Sequence, residues 1–177
     1  MGDNFVINIG RQLGSGGREI GEKLAASLEI SFYDKELINL ASEESGLCRD
    51  FFEKADEKPS QPLMNGLFGM RFPFPNDSIM ACNSCLSNDA LFKVQSDVIR
   101  KLAAEKSCLF VGRCADYILR DHPRHVNVFV SASLDDRIER LCQTMHVGKA
   151  EAEELIERTD KKRSGYYNYY SYKTWGA

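Results

Sequence analysis

Apolar positions at the start of the chain switch twice between a strand pattern and a helix pattern. "NFVINI" (Asn4 to Ile9) is short and β-rich, and predicts a buried strand. From Arg18 to Leu28, Ile20, Leu24 and Leu28 recur at helical spacing, which puts an apolar stripe on one helix face. "ISFYD" (Ile30 to Asp34) predicts a second strand that ends in an acid, and Leu37, Ile38 and Leu40 carry a helix from Lys35 to Glu44.

The pattern breaks between Lys58 and Asn83, where Pro59, Pro62, Pro73 and Pro75 collect with glycines and phenylalanines; this predicts an irregular, lid-like excursion. Ser87 or Asn88 then caps a helix whose apolar positions Leu91, Val94, Val98, Ile99 and Leu102 run to about Ala104. "SCLFVGR" (Ser107 to Arg113) is a third strand, "CADYILRD" a helical piece and "HVNVFVS" (His125 to Ser131) a fourth strand. Two helices close the chain, Leu134 to Met145 and one capped near Gly148 that carries Ala152, Leu155 and Ile156 toward Arg163. Strands alternating with helices predict an α/β fold, a parallel sheet covered on both faces with ligands at the carboxyl ends of its strands. Asp34, Arg113 and a glycine-rich loop all fall at such ends.

That loop is "GRQLGSGGRE", Gly10 to Glu19, between the first strand and the first helix. A P-loop reads G-x-x-x-x-G-K-[ST]: backbone N–H groups surround phosphate oxygens, the lysine bridges outer phosphates and the hydroxyl binds magnesium. With Gly16 as the second glycine, Arg11 takes the first motif position, Gly17 the lysine position and Arg18 the hydroxyl position. The backbone half survives, because Gly14, Gly16 and Gly17 permit the positive φ of an anion nest, with Ser15 among them. Arg18 or Arg11 can supply the missing charge, since a guanidinium forks onto phosphate. Neither replaces a hydroxyl on magnesium, so a metal would need Asp34 through water. The bland readings are a plain strand-to-helix turn for the loop and a helix N-cap for Asp34.

Charge narrows the choice of ligand. The 177 residues carry a net charge of −3, which excludes a protein whose whole surface engages nucleic acid or anionic lipid, so any basic site is local. The local excess is "RTDKKRSGYYNYYSYK", Arg158 to Lys173, which follows a largely acidic stretch. Arg158 and Lys162 share a helix face, and Asp160 lies three before Arg163 and can orient it. Cations on a mobile helix suit phosphoryl transfer, in which moving charge is neutralised away from water. Tyr166, Tyr167, Tyr169, Tyr170 and Tyr172 among them could stack bases, but packing of a C-terminal arm is the reading favoured by the acidic chain. No apolar run reaches bilayer-spanning length and no secretory leader is recognisable, which places the protein in the cytoplasm without a membrane partner. Cys82 and Cys85 form one C-x-x-C without a second pair, a weak zinc signal beside two free thiols. His122, His125 and His146 have no nucleophile to serve.

The glycine loop, "YDKELI", "LFVGRCADYIL", "VFVSASLDDRIERL" and "RTDKKRSGYY" occur in an order that resembles the cytidylate kinase-like family, a branch of the P-loop nucleoside monophosphate kinases. The resemblance implies a three-layer fold with strand order 2-3-1-4-5, of which a fifth strand is absent from this chain, leaving 2-3-1-4 and an open edge at the fourth. It implies one domain over residues 1–177, with an acceptor-binding insertion at 45–90 and a lid-like cationic segment at 146–170. It implies ATP and Mg2+ as cofactors, nucleotides as partners and CMP-like monophosphates as acceptors. Arg113 would contact the acceptor phosphate, and Asp34 and Lys35 would lie on the acceptor side. Arg137, Arg158 and Arg163, the last two around Asp160, would reach phosphates as the lid closes. True cytidylate kinases keep the loop lysine, and this chain does not. A nucleotide-binding sensor without catalysis is therefore the alternative reading.

Overall fold

The computed structural model describes residues 4–35, residue 38 and residues 88–177. Among them four strands, β1 (Val6–Arg11), β2 (Ser31–Tyr33), β3 (Cys108–Val111) and β4 (His125–Val130), form one parallel sheet in the order β2-β3-β1-β4. This is the four-strand order expected. The helices are α1 (Gly17–Ser27), α2 (Asn88–Glu105), α3 (Ala115–Ile118), α4 (Leu134–Met145) and α5 (Lys149–Ser171). Parallel pairing aligns Ile9 with Val111 and Arg11 with Val130, so the carboxyl ends of the central strands finish side by side.

Side chains alternate across the sheet, and each face has its own core. On one face Ile9, Leu109 and Val111 pack with Ala25 of α1. On the other, Val6, Cys108 and Phe110 pack with Ile99 and Ala103 of α2 and with Ala115 and Ile118 of α3. The excursion between Lys58 and Asn83, the pair Cys82 and Cys85, and most of the 45–90 insertion lie outside the described residues. Of the helix from Lys35 to Glu44, the start is described: Ile38 N donates to the Asp34 carbonyl at 2.9 Å.

Two elements differ from expectation. The apolar stripe of α1 does not face the sheet: Ile20, Leu24 and Leu28 are exposed, and Gly17, Gly21 and Ala25 are buried instead. A Cβ added at Gly21 would lie 3.1 to 3.2 Å from side-chain atoms of Ile9, Leu109 and Val111, so the helix rests closely on the sheet there. The last helix does not stop near Arg163 but continues to Ser171, because its tyrosines pack as they come round. Tyr166 and Tyr170 form an aromatic cluster with Phe92 of α2, Tyr170 stacking on it at 4.0 Å. The tyrosines thus hold α5 to the body, while Tyr169 and Tyr172 remain exposed. Past the helix, Trp175 folds back edge-on to Phe129 of β4 at 5.1 Å. No helix among the described residues is long and apolar enough to cross a membrane.

Candidate functional site

A cavity of about 860 Å³ opens at the carboxyl ends of β1, β2 and β3, beneath the second half of α5. Of the residues predicted from sequence, Arg11, Arg18, Asp34, Lys35, Arg113 and Arg163 line it together. Lys162 joins them, which makes six cationic side chains against the carboxylates of Asp34 and Asp116 in a chain of net charge −3. The charge is collected by topology: β-strand ends supply one wall, and Thr159, Lys162, Arg163 and Tyr166 line up on the facing side of α5 at helical spacing.

The glycine loop is built from beneath. Gly14 and Gly16 take φ of 78° and 81°, as the nest reading requires. The buried Ser15 turns its hydroxyl inward to the Gln12 carbonyl at 2.8 Å. The Leu13 peptide is gripped on both sides: its N–H donates to Asp160 Oδ1 at 2.9 Å, and its carbonyl accepts from Arg137 Nε at 2.7 Å. The buried Arg137 and the partly buried Asp160 are themselves an ion pair. A Cβ at Gly14 would come within 2.8 Å of the Arg137 carbonyl, so loop and α4 are in direct contact.

This geometry separates the predicted site residues. Arg137 and Asp160 do not line the cavity; they support the loop, because burial commits each to the other. Arg158 also stays out of it, an exposed residue one position off the 159, 162, 163, 166 stripe. The loop glycines Gly14, Gly16 and Gly17 flank the cavity without lining it. Arg163 reaches back to the loop, donating to the Arg11 carbonyl at 3.3 Å with Asp160 3.9 Å away. Arg18 is held by the buried Asp34 at 2.8 Å and by Glu22 at 3.4 Å. The Asp34 carbonyl accepts from Ile38 N at the start of the next helix, and its carboxylate is engaged by Arg18. Glu19, in the first turn of α1, is neutralised by Lys23 at 2.8 Å and by Arg140 at 3.2 Å, and the Lys23 hydrogen bond holds its carboxyl below the usual range.

Arg113 is the most elaborately held cation. It and Cys114 both adopt left-handed backbone, φ 57° each, a strained conformation for residues with side chains. Its guanidinium donates to Oε1 of the buried Gln95 through Nε at 3.0 Å and through Nη2, and lies over the Tyr166 ring at 4.4 Å. Gln95 escaped the sequence reading, and Tyr166 was read there as arm packing and not as a partner of Arg113. The one signal for Gln95 was an amide between Val94 and Val98 on a core-facing helix, and for Tyr166 its place seven residues after Thr159.

Burial pushes the Tyr166 phenol and the Cys114 thiol up to about 12 each, Asp116 adding to the shift at Cys114. Both remain protonated at neutral pH, and Cys114 offers no thiolate nucleophile. Because the unfolded groups lose their protons near 10 and 9, their contribution to stability is intact below pH 9 and is lost as pH rises toward 12. Urea denaturation of Tyr166→Phe across pH 8 to 12 is expected to show a shallower alkaline decline than the parent; equal slopes would contradict the assignment. No histidine lines the cavity, and among the described residues no three His, Cys, Asp or Glu side chains group as metal ligands.

The model of the cytidylate kinase-like family matches residues 6–177. No functionally curated protein matches the chain. A solved structure of an uncharacterized protein from Eubacterium ventriosum shares 26% identity, with a TM-score of 0.70 over 98% of this chain and 82% of that one. Shikimate kinase from Bacteroides thetaiotaomicron gives 16% identity and a TM-score of 0.48, over 93% of this chain and 82% of that one. A gluconokinase from Sinorhizobium meliloti gives 14% and 0.45, over 88% and 74%.

Proposed function

Since the chain belongs to the cytidylate kinase-like family, we propose that it is a kinase that moves the γ-phosphoryl group of ATP to a nucleoside monophosphate such as CMP. Family membership itself supports a nucleotide kinase-like function. One observation carries it: six cations converge on a single cavity at strand ends, beside a glycine loop, in an acidic chain. Phosphoryl transfer asks for this, because catalysis there is positioning plus neutralisation of phosphate charge and needs little base.

In this reading the loop amides from Gly14 to Gly17 and Arg11 hold the donor phosphates. Arg113 holds the acceptor phosphate, with Lys35 beside it, and Lys162 and Arg163 close over both from α5. An acceptor phosphate oxygen attacks the γ-phosphorus as the bond to the β-phosphate oxygen breaks, and two nucleoside diphosphates leave. Arg137 and Asp160 act by fixing Leu13, hence the loop. ATP supplies the phosphoryl group, and the positive-φ glycines fit its polyphosphate. A resident Mg2+ fits less well: position 18 carries no hydroxyl, and the Asp34 carboxylate is engaged by Arg18 at 2.8 Å. A cytoplasmic location goes with this chemistry.

The test is direct. Folded protein incubated with ATP, magnesium and each nucleoside monophosphate in turn is expected to form diphosphate, fastest from CMP; no diphosphate from any acceptor would sink the proposal. The side chains of the loop favour a second reading, a nucleotide sensor, since Gly17 and the Arg18–Asp34 pair replace both the lysine and the hydroxyl. Calorimetric binding of nucleotide without turnover would select it.

A further inference from the structure

The glycine loop has not lost its phosphate-binding cation; we infer that the charge has moved from motif position 17 to motif position 11, and that Gly17 is the steric condition for the move. This rests on the reading above, that the cavity takes nucleotide phosphate. In the P-loop pattern position 11 is glycine and position 17 is lysine. Here the two residue types are exchanged, Arg11 for glycine and Gly17 for lysine.

The geometry makes the exchange reciprocal. A Cβ placed on Gly17 would lie 2.6 Å from Arg11 Cβ, 3.2 Å from Arg11 Cγ and 3.1 Å from Val130 Cβ. The β-carbon of Arg11 is fixed by its backbone at the end of β1, so it cannot swing aside as a side-chain tip would. A side chain at 17 and a side chain at 11 therefore exclude each other, and the first turn of α1 accommodates Arg11 by having none. From there the Arg11 side chain runs away from the loop to Gly112, where its guanidinium lies against the α-carbon, with Cζ 3.2 Å from where a Cβ would be. Gly112 has φ 81° and is followed by Arg113. The charge thus arrives at the end of β3, between the glycine loop and the acceptor-side arginine, on the wall of the cavity.

Arg18, the other candidate, faces two carboxylates, Asp34 and Glu22. Arg11 brings a planar guanidinium to the cavity wall, which suits phosphate as well as an ammonium does.

A four-protein cycle tests both halves: the parent, Arg11→Gly, Gly17→Lys and the double variant, each measured for thermal unfolding and for calorimetric binding of inorganic tripolyphosphate. Arg11→Gly is expected to fold and to bind about 10- to 100-fold more weakly, the range for losing hydrogen bonds to a charged group. Gly17→Lys alone is expected to melt well below the parent. The double variant is expected to regain the melting temperature and much of the affinity. Unchanged or tighter binding by Arg11→Gly would overturn the charge assignment, and a Gly17→Lys protein as stable as the parent would overturn the steric one. Should the parent itself fail to bind tripolyphosphate, the phosphate reading of the cavity falls and takes the charge assignment with it, while the melting temperatures still decide the exclusion between positions 11 and 17.

Discussion

Asp160→Ala is expected to cost about 3 to 5 kcal/mol of stability, the range for removing one partner of a buried ion pair. The side chains of Arg137 and Asp160 keep only 7% and 16% of their surface, so water cannot solvate the charge left behind on Arg137. The same carboxylate accepts the Leu13 N–H, and its loss orphans that donor as well. Asp160→Asn separates the two terms, because the amide oxygen still accepts from Leu13 while the ion pair is gone. Arg137→Met combined with Asp160→Leu removes both charges and is expected to be more stable than either single charge deletion. Urea denaturation measures these three variants against the parent; single variants within about 1 kcal/mol of the parent would refute the pairing as the anchor of the loop. The effect extends to binding, because Leu13 is the loop residue through which α4 and α5 hold the glycines in place.

The inner strands were legible because covered parallel strands are short apolar runs ending in glycine or a polar residue, whereas Val126 and Val128 of β4 are exposed. "CLFV" before Gly112 and "SFY" before Asp34 have no other reading at that length. Helix α1 was legible as a helix but not in its orientation. Its large stripe, Ile20, Leu24 and Leu28, and its small stripe, Gly17, Gly21 and Ala25, share one period, and periodicity alone cannot say which faces the sheet. Close approach decided it, and close approach is a tertiary quantity.

The site divides in the same way. Arg11, Arg18, Asp34, Lys35, Arg113 and Arg163 were legible one by one as charges at strand ends or on a basic helix. What a charge does depends on its neighbour, and the neighbours are remote in sequence. Asp160 lies 23 residues from Arg137 and 147 from Leu13, so nothing local could mark Arg137 as a structural cation and Arg163 as a cavity one. Gln95 and Tyr166 were hidden by their types, an amide in a helix core and one tyrosine among several.

Arg113→Ala is expected to raise KM for the acceptor monophosphate by about 100-fold or more, since two charge-assisted hydrogen bonds to one phosphate are each worth about 1.5 to 3 kcal/mol. A smaller change in kcat would follow if the contact is made equally in ground and transition states, and an equal loss in both kcat and kcat/KM would place it in the transition state alone. The scaffold around Arg113 grades the prediction. Tyr166→Phe keeps the ring under the guanidinium and removes only a hydroxyl that has no hydrogen-bond partner among the described residues, so the acceptor KM should stay close to that of the parent. Tyr166→Leu removes the ring and with it about 0.5 to 2 kcal/mol of cation–π attraction, giving a rise of a few-fold to about 30-fold. Gln95→Leu removes the buried acceptor that fixes the fork from behind, and should raise KM without changing the charge present. An Arg113→Ala enzyme with both the parent's kcat and the parent's acceptor KM would remove Arg113 from the acceptor site. If Tyr166→Leu and Gln95→Leu were silent while Arg113→Ala was not, the cation would matter but its holding would not. The left-handed backbone at Arg113 and Cys114 argues for the holding, because folding strain of this kind persists where the surrounding contacts over-determine one geometry, and here those contacts are Gln95 on one side and Tyr166 on the other.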